Sequence, residues 1–594
     1  MSDQPPVSAP SRPHGADPPA LSPASLFVLA LLVGVLAGVG SIVLRGAIAL
    51  FQYLFFFGEL DIELTPAVHL PPSAWGWGVI FVPVAGAAIV TALNNTLTPQ
   101  TRGDGIPEVM DAIYYHGGRI GIRSAIARAL AGAVSIGSGG SVGREGPIMH
   151  MGAAVGSLLA RVKAMPARQR IVLVGAGAGA GIAATFNAPI AGIAFAMELL
   201  LISVSAQNVA LVASATVTAT WIGRLYAGIG PTFAVPTLDL FADRLTGSYQ
   251  LLLCIPFGLL AGVAAAGFVR ALYWFEDRFE SAFDNTYLRH MGAMLIVGLM
   301  LYAFMQYAGE YYVDGVGYAT IADILREVLT DPLFLLLLFA AKLLATCLTL
   351  GSGGSGGVFS PALFLGATLG AAYADALDLL MPQLGIDPVL FAVAGMAGMV
   401  GATTAAVVTA IVLVFEQARD FSVILPIITT VALAYVVRVR LTPESIYTLK
   451  LARRGHSVPQ GLQAAMSVTL DARKVMNRDF RVIELDRLRD WARRRRSGER
   501  ARYTVVTKDG EILGLARDDL QEVVDKDLAP EELVDRRFRL VAPRTRWPTL
   551  MRTIKASNTD VLLVATERSV DSLRGIITPL EIAHAARDHA ELID

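Results

Sequence analysis

Gly137-Ser-Gly-Gly-Ser-Val-Gly-Arg-Glu-Gly-Pro147 sets a single carboxylate, Glu145, in a run of small residues inside an apolar region. The stretch returns 214 positions later as Gly351-Ser-Gly-Gly-Ser-Gly-Gly-Val-Phe-Ser-Pro361, with seven of eleven positions identical and Phe359 in place of Glu145. The match continues beyond the proline, Pro147-Ile-Met-His-Met-Gly-Ala-Ala-Val-Gly156 against Pro361-Ala-Leu-Phe-Leu-Gly-Ala-Thr-Leu-Gly370. A duplicated glycine loop leading into an apolar helix, one in each half of a membrane chain, points to an ion or solute site.

The membrane assignment rests on composition. With 594 residues, 54% of them apolar, the chain is too hydrophobic for a soluble protein of this size. Runs long enough to span a bilayer recur at Leu26 to Val43, Leu251 to Phe268 and Phe334 to Leu350. A net charge of −1 argues against a nucleic-acid partner. Cys254 and Cys347 are the only cysteines and both lie in apolar segments, which excludes a disulfide framework or a cysteine metal site. Residues 1–23 are rich in proline and polar residues and lack the pattern of a signal peptide; they are expected to form a disordered cytosolic tail.

Outward from the glycine loops, the chain reads as two repeats. The first covers residues 24–228 and begins with a long apolar helix whose only charge is Arg45. Gly103-Asp-Gly-Ile-Pro107 feeds a short helix, and Asn187-Ala-Pro-Ile-Ala-Gly-Ile193 opens another with proline in its first turn, where its missing N–H costs nothing. A polar connector is expected at 229–248, and the second repeat at 249–455. Thr403 to Glu416 overlays Thr185 to Glu198 with an offset of 218, so the whole block is duplicated. Many segments are short or broken by glycine, which predicts half-helices meeting near the midplane. Arg438, Arg440, Arg453 and Arg454 follow the last long apolar helix and put that end in the cytoplasm. The remainder has a soluble composition and divides into two small α/β modules, 456–530 and 531–594.

A helix N-terminus presents unpaired N–H groups and about half a positive charge, so it attracts an anion without a full countercharge. The glycines let backbone amides approach an ion closely, although Gly-Ser-Gly-Gly-Ser could serve only tight helix packing. Glu145 is then an anion held at a helix N-terminus and competing with the permeant ion for the same donors. The plainer reading of Glu145 is a buried, satisfied carboxylate, but acids inside membranes are mostly functional. A nucleotide loop is excluded because Gly-Lys-Ser/Thr is missing. No nucleophile–base pair or metal cluster supports an enzyme.

Four motifs in order, Gly-Asp-Gly-Ile-Pro (103–107), Gly-Arg-Glu-Gly-Pro (143–147), Asn-Ala-Pro-Ile-Ala-Gly-Ile (187–193) and Gly-Val-Phe-Ser-Pro (357–361), resemble the CLC chloride channel and chloride/proton exchanger family over residues 24–455. The resemblance implies an all-α polytopic fold of two inverted repeats of tilted, broken helices, assembled as a homodimer with one pore per subunit. It further implies chloride transport across the cytoplasmic membrane, modulated by voltage or pH, with both termini cytosolic. Glu145 matches the gating glutamate. Gly105 and Ile106, Gly143, Arg144 and Gly146, and Gly357, Val358 and Phe359 match the anion-binding loops, and Tyr447 the tyrosine that closes the inner side.

Two positions depart from the pattern. Asp104 stands where the family carries a serine that donates to the anion. It is either protonated, turned away as the N-cap of the helix at Ile106, or part of a weak inner site; the N-cap is favoured. Leu199, which carries no proton, stands where exchangers carry an internal proton-transfer glutamate; adjacent Glu198 is the proton-path candidate, and Asp104 offers another acidic route. The leucine favours a passive channel over an antiporter, and a non-conducting sensor is the remote alternative. The two α/β modules resemble a CBS pair, which implies possible adenine-nucleotide binding. Thr578 and Glu581 fit the second module's pattern, whereas Arg517 and Leu520 occupy the same places in the first. No cofactor is otherwise required, and the partners expected are small anions and membrane lipid.

Overall fold

The computed structural model describes residues 19–62, 68–97, 105–236, 244–456, 458, 470–494, 503–516, 529–557 and 559–590. Two compact units result, Met1–Ala112 with Gly118–Ser457, and Ile113–Gly117 with Val458–Asp594.

The first unit is helical throughout. Its first repeat contains α1 (Pro23–Phe57), α2 (Val82–Leu97), α3 (Gly105–His116), α4 (Ile122–Gly137), α5 (Glu145–Val162), α6 (Ala167–Phe186), α7 (Pro189–Phe195) and α8 (Ala206–Ala227). The second contains α9 (Arg244–Ala282), α10 (Thr286–Ala308), α11 (Tyr318–Leu325), α12 (Pro332–Gly351), α13 (Phe359–Leu380), α14 (Pro388–Thr404), α15 (Val407–Ala418), α16 (Ile424–Leu441) and α17 (Ile446–Arg453). Among the described residues, nine helices are long and apolar enough to cross a membrane, and α7, α14 and α15 are apolar but shorter. Three starts share one local logic. Ser22, Asp331 and Asp387 each accept a backbone N–H of the first turn, and proline follows at the position whose own N–H has no helical partner.

The repeats are inverted, which the sequence alone leaves open. Gly143 N–H donates to Gly357 carbonyl and Gly357 N–H to Gly143 carbonyl, both at 2.7 Å, as an antiparallel bridge. These glycines are mates at the 214 spacing, so each residue bonds its own counterpart, as a two-fold axis between antiparallel copies requires. Packing obeys the same symmetry. A Cβ on Gly152 would lie 2.1 Å from the Gly177 carbonyl oxygen, and one on Gly366 would lie 2.2 Å from that of Gly395. Backbone therefore touches backbone between α5 and α6, and again between α13 and α14, as small-residue packing allows. The helix-ending left-handed residues are mates too, Asn187 at φ 57° and Ala405 at φ 64°.

Three boundaries differ from the sequence expectation. Helix α9 begins at Arg244, inside the segment read as connector. Residues 1–18 of the expected disordered tail lie outside the described residues. Leu21, by contrast, is fixed: its N–H and carbonyl each bond the Gln169 amide at 2.9 Å.

In the second unit, β1 (Phe480–Glu484), β2 (Tyr503–Lys508), β3 (Glu511–Ala516) and β4 (Val534–Asp535) form one sheet, and β5 (Arg539–Val541), β6 (Leu562–Val564) and β7 (Gly575–Ile577) another. The division at residue 530 is not clean. Strand β4 pairs with β3, and Leu470, Ala472 and Val475 pack in the core of Val541, Trp547 and Leu562. Each module thus completes itself with chain from the other side of the expected boundary, because a short strand needs a paired, buried neighbour to be stable.

Candidate functional site

The inverted loops bring helix starts together. Glu145 is the first residue of α5 and Phe359 the first of α13; both are fully buried. The Gly143–Gly357 bridge holds the loops side by side, and a Cβ on Gly143 would sit 2.0 Å from Glu145 Oε2. Only glycine leaves room for the carboxylate there. A Cβ on Gly357 would lie 2.9 Å from the Gly146 N–H nitrogen, and one on Gly105 would lie 3.0 Å from the Gly146 carbonyl oxygen. The start of α3, with buried Ile106, therefore meets the first turn of α5. Buried Val358 precedes α13, and the Phe359 ring lies 5.8 Å from that of Phe186.

The donors that hold Glu145 differ from the expectation. Backbone amides of a helix start were expected to hold it. Its Oε1 instead accepts from the Tyr318 hydroxyl at 2.9 Å and from the Ser360 hydroxyl, while Oε2 has no hydrogen-bond partner among the described residues. The two hydroxyl oxygens also lie 2.8 Å apart, and with one hydrogen each they satisfy two of the three contacts at a time. Hydroxyl donors of this kind hold the Glu145 side chain in the closed position. Arg144 turns away from the cradle, with Nη2 on the Thr185 carbonyl at 3.2 Å and its guanidinium 5.2 Å from the Tyr318 ring centre.

Sequence reading misses Tyr318 although the signal is present. Gly315-Val-Gly-Tyr-Ala319 is the mate of Gly103-Asp-Gly-Ile-Pro107 at an offset of 212, which pairs Tyr318 with Ile106. Ser360 is the mate of Gly146. Each repeat also props its loop with a buried cation from the preceding long helix. Lys342 Nζ donates to the carbonyls of Val313, Asp314 and Gly315 at 3.0, 3.3 and 2.9 Å, just before Tyr318. Its mate Arg128 lies 3.4 Å from Glu108, which Arg454 also reaches at 3.2 Å.

Glu198, the proton-path candidate, sits at a helix start of the other repeat. It accepts from the N–H groups of Val408 and Thr409 at 3.0 and 2.9 Å and from the Thr409 hydroxyl at 2.8 Å. Its mate Glu416 accepts from Ile190 and Ala191 N–H at 3.1 and 2.8 Å. Each repeat thus caps a helix start of the other, α15 by Glu198 and α7 by Glu416, where orphan donors and the helix dipole favour a carboxylate. Leu199 is buried beside it, in a π-helical turn over Ala196–Leu200. Tyr447 is buried in the first turn of α17, which starts on a Ser445–Thr448 capping box. Asp104, Arg517 and Leu520 lie outside the described residues.

Thr578 and Glu581 do come together, though with each other. The Thr578 N–H donates to Glu581 Oε2 at 3.1 Å, its hydroxyl bonds the same carboxylate, and Pro579 opens the following helix (Pro579–Ala590). Glu581 thus reaches back to the N–H ahead of the helix, one half of a capping box, while the Thr578 hydroxyl holds the carboxylate. Tyr503 hydroxyl and Asn477 amide also donate to Glu581, at 3.1 and 3.3 Å on Oε1. Burial alone would raise this carboxyl, but the hydrogen bonds from Thr578, Asn477 and Tyr503 outweigh it and hold it below the ordinary glutamate value.

Known proteins resemble this chain over the membrane unit and beyond. The family described as voltage gated chloride channel matches residues 86–438. A ClcB-like protein of Ralstonia nicotianae is 31% identical, covering 72% of this chain and 97% of its own. The H(+)/Cl(-) exchange transporter ClcA of Vibrio parahaemolyticus is 30% identical over 73% of this chain and 90% of its own. Among solved structures, a slow cyanobacterial Cl-/H+ antiporter is 27% identical with a TM-score of 0.61, over 73% of this chain and 99% of its own. A eukaryotic CLC transporter at 20% identity and a TM-score of 0.60 shares the fold over 94% of this chain and 98% of its own.

Proposed function

Because the chain belongs to the voltage-gated chloride channel (CLC) family and transports chloride across a membrane that it crosses many times, we propose that it works as a chloride/proton exchanger with Glu145 as its movable gate. The observation that carries the gate is the position of the Glu145 carboxylate. It fills the glycine cradle between two helix starts, so it must be neutralised or displaced before an anion passes. The hydroxyls of Tyr318 and Ser360 hold it closed, and protonation weakens that hold.

Exchange takes precedence because most of the relatives at 30–32% identity carry the exchanger name and a cyanobacterial antiporter shares the fold. The Ralstonia nicotianae relative, by contrast, is named a chloride channel protein. The passive channel remains the second reading, and Leu199 is the observation in its favour: the side chain cannot carry a proton, and neighbouring Glu198 is engaged in capping α15. Reconstitution into liposomes, with chloride efflux and external pH followed together, separates the two. Proton uptake driven by a chloride gradient supports exchange, chloride flux without proton movement supports the channel, and absence of both rejects transport. We further propose a homodimer in the cytoplasmic membrane with cytosolic termini, following the basic residues after α16. The α/β unit we propose as a structural partner of that dimer. A nucleotide ribose would have to compete with Thr578, Asn477 and Tyr503 for the Glu581 carboxylate.

A further inference from the structure

Arg45, the sole charge of α1, has no part in the gate, yet it lies next to it. Its Nη2 donates to the carbonyls of Ala184 and Thr185 at 3.1 and 2.6 Å, at the C-terminal end of α6. Arg144 Nη2 donates to the same Thr185 carbonyl at 3.2 Å. Two full positive charges thus converge on one carbonyl oxygen. A helix C-terminus supplies about half a negative charge, which leaves most of the pair uncompensated.

The neighbouring Glu145 carboxylate is held by Tyr318 and Ser360 and bonds neither arginine. Neither arginine forms an ion pair there, and both Nε atoms are buried without a hydrogen-bond partner. Arg144 is only 5% exposed. Both arginines line one open vestibule of about 680 Å³, together with the polar groups of Gln52, Asn187, Thr232 and Tyr318. The acid on its wall, Asp314, gives its carbonyl to Lys342 and is ion-paired to neither arginine. Like charges held together away from bulk water are costly unless an ion of opposite sign sits with them.

We propose that Arg45 and Arg144 form an anion-holding station in this vestibule, which takes a chloride-sized monovalent anion before Glu145 gives way. The path onward is short. The Arg144 guanidinium lies 5.2 Å from the Tyr318 ring, whose hydroxyl reaches Glu145 at 2.9 Å. A waiting anion raises the local supply at the gate, and its charge opposes that of the closed carboxylate. The station rests on the reading of Glu145 as the gate, but it can fail by itself.

Crystals of the full chain soaked in bromide test it by anomalous diffraction. The station predicts a peak within contact of both guanidinium groups in the vestibule, retained in Glu145→Gln and lost in Arg45→Gln. A peak confined to the Gly357–Phe359 cradle overturns the station and leaves the gate intact. Flux provides the second measurement, because an ion bound only at crystal concentration would leave it untouched. Arg45→Gln raises the half-saturating chloride concentration about five-fold, the effect of one partly screened charge, and Arg45→Lys restores most of it. Half-saturation unchanged in a well-folded Arg45→Gln overturns the proposal, as does an equal rise in Arg45→Lys.

Discussion

The two repeats of the membrane unit share one backbone and differ in what they hang on it. The Gly143 and Gly357 loops bond each other as equals, and α5 and α13 start at mated residues. On that common frame the first repeat places a carboxylate, Glu145, whereas the second places Phe359 and two hydroxyls, those of Ser360 and Tyr318. One half supplies the movable charge and the other the hands that hold it. The symmetry survives where the role is structural, as with Glu198 and Glu416, which cap each other's repeats. It breaks at the cradle. Duplication thus built the scaffold, and divergence at a few mated positions made it a site.

The largest test of that contrast is Glu145→Gln. It keeps the shape and removes the charge, so chloride flux becomes independent of pH and any proton movement stops; an unchanged pH profile in liposomes removes Glu145 from the gate. Next come the mated caps. Glu198→Ala strands three donors and Glu416→Ala two, with expected losses of about 4 and about 3 kcal/mol, read as lowered melting temperatures in detergent. Should Glu198→Gln lose proton coupling while Glu416→Gln keeps it, the pair is not merely structural and the symmetry argument fails there.

The mated cations give a smaller effect. Lys342→Met releases three carbonyls ahead of Tyr318 and should cost about 2 kcal/mol. Arg128→Met should cost less, since Arg454 still reaches Glu108. Tyr318→Phe removes one donor to the closed gate, worth about 1 kcal/mol, so chloride flux at a fixed neutral pH rises about five-fold. Flux that is unchanged or lowered in a well-folded variant rejects the hydroxyl as a latch.

The α/β unit gives the smallest effect. Thr578→Ala removes the hydroxyl donor to Glu581 and should cost about 1 kcal/mol, measured on the full chain by thermal melting. The Glu581 carboxyl is held low, so its contribution is present above the ordinary glutamate value and fades as pH falls through its folded value. The cost of Thr578→Ala should accordingly shrink on acidification.

Much of this architecture is legible in the amino-acid sequence. Apolar runs, the 214 spacing and the four motifs identify a duplicated membrane transporter, because helix formation in lipid depends on local composition and glycine loops depend on local backbone freedom. Glu145, Gly143, Gly357 and Phe359 stand out together in the sequence and meet in the fold, since a repeated motif needs only to be matched with itself. Glu198 stands out in the sequence as an acid beside the expected proton position, but its capping of Val408 and Thr409 N–H depends on the distant repeat and is not legible there. Tyr318 escapes notice because its motif keeps only the glycines of its mate.

By itself, then, the sequence determined the fold family, the two repeats and the single acid of the glycine loops, all properties carried by short stretches of chain. Only the tertiary structure decided that the repeats are inverted, that hydroxyls from the second repeat hold Glu145, and that Arg45 joins Arg144 at one carbonyl. Each of those depends on residues between 140 and 215 positions apart meeting within hydrogen-bond reach, and no local pattern encodes which distant partner a buried polar group will find.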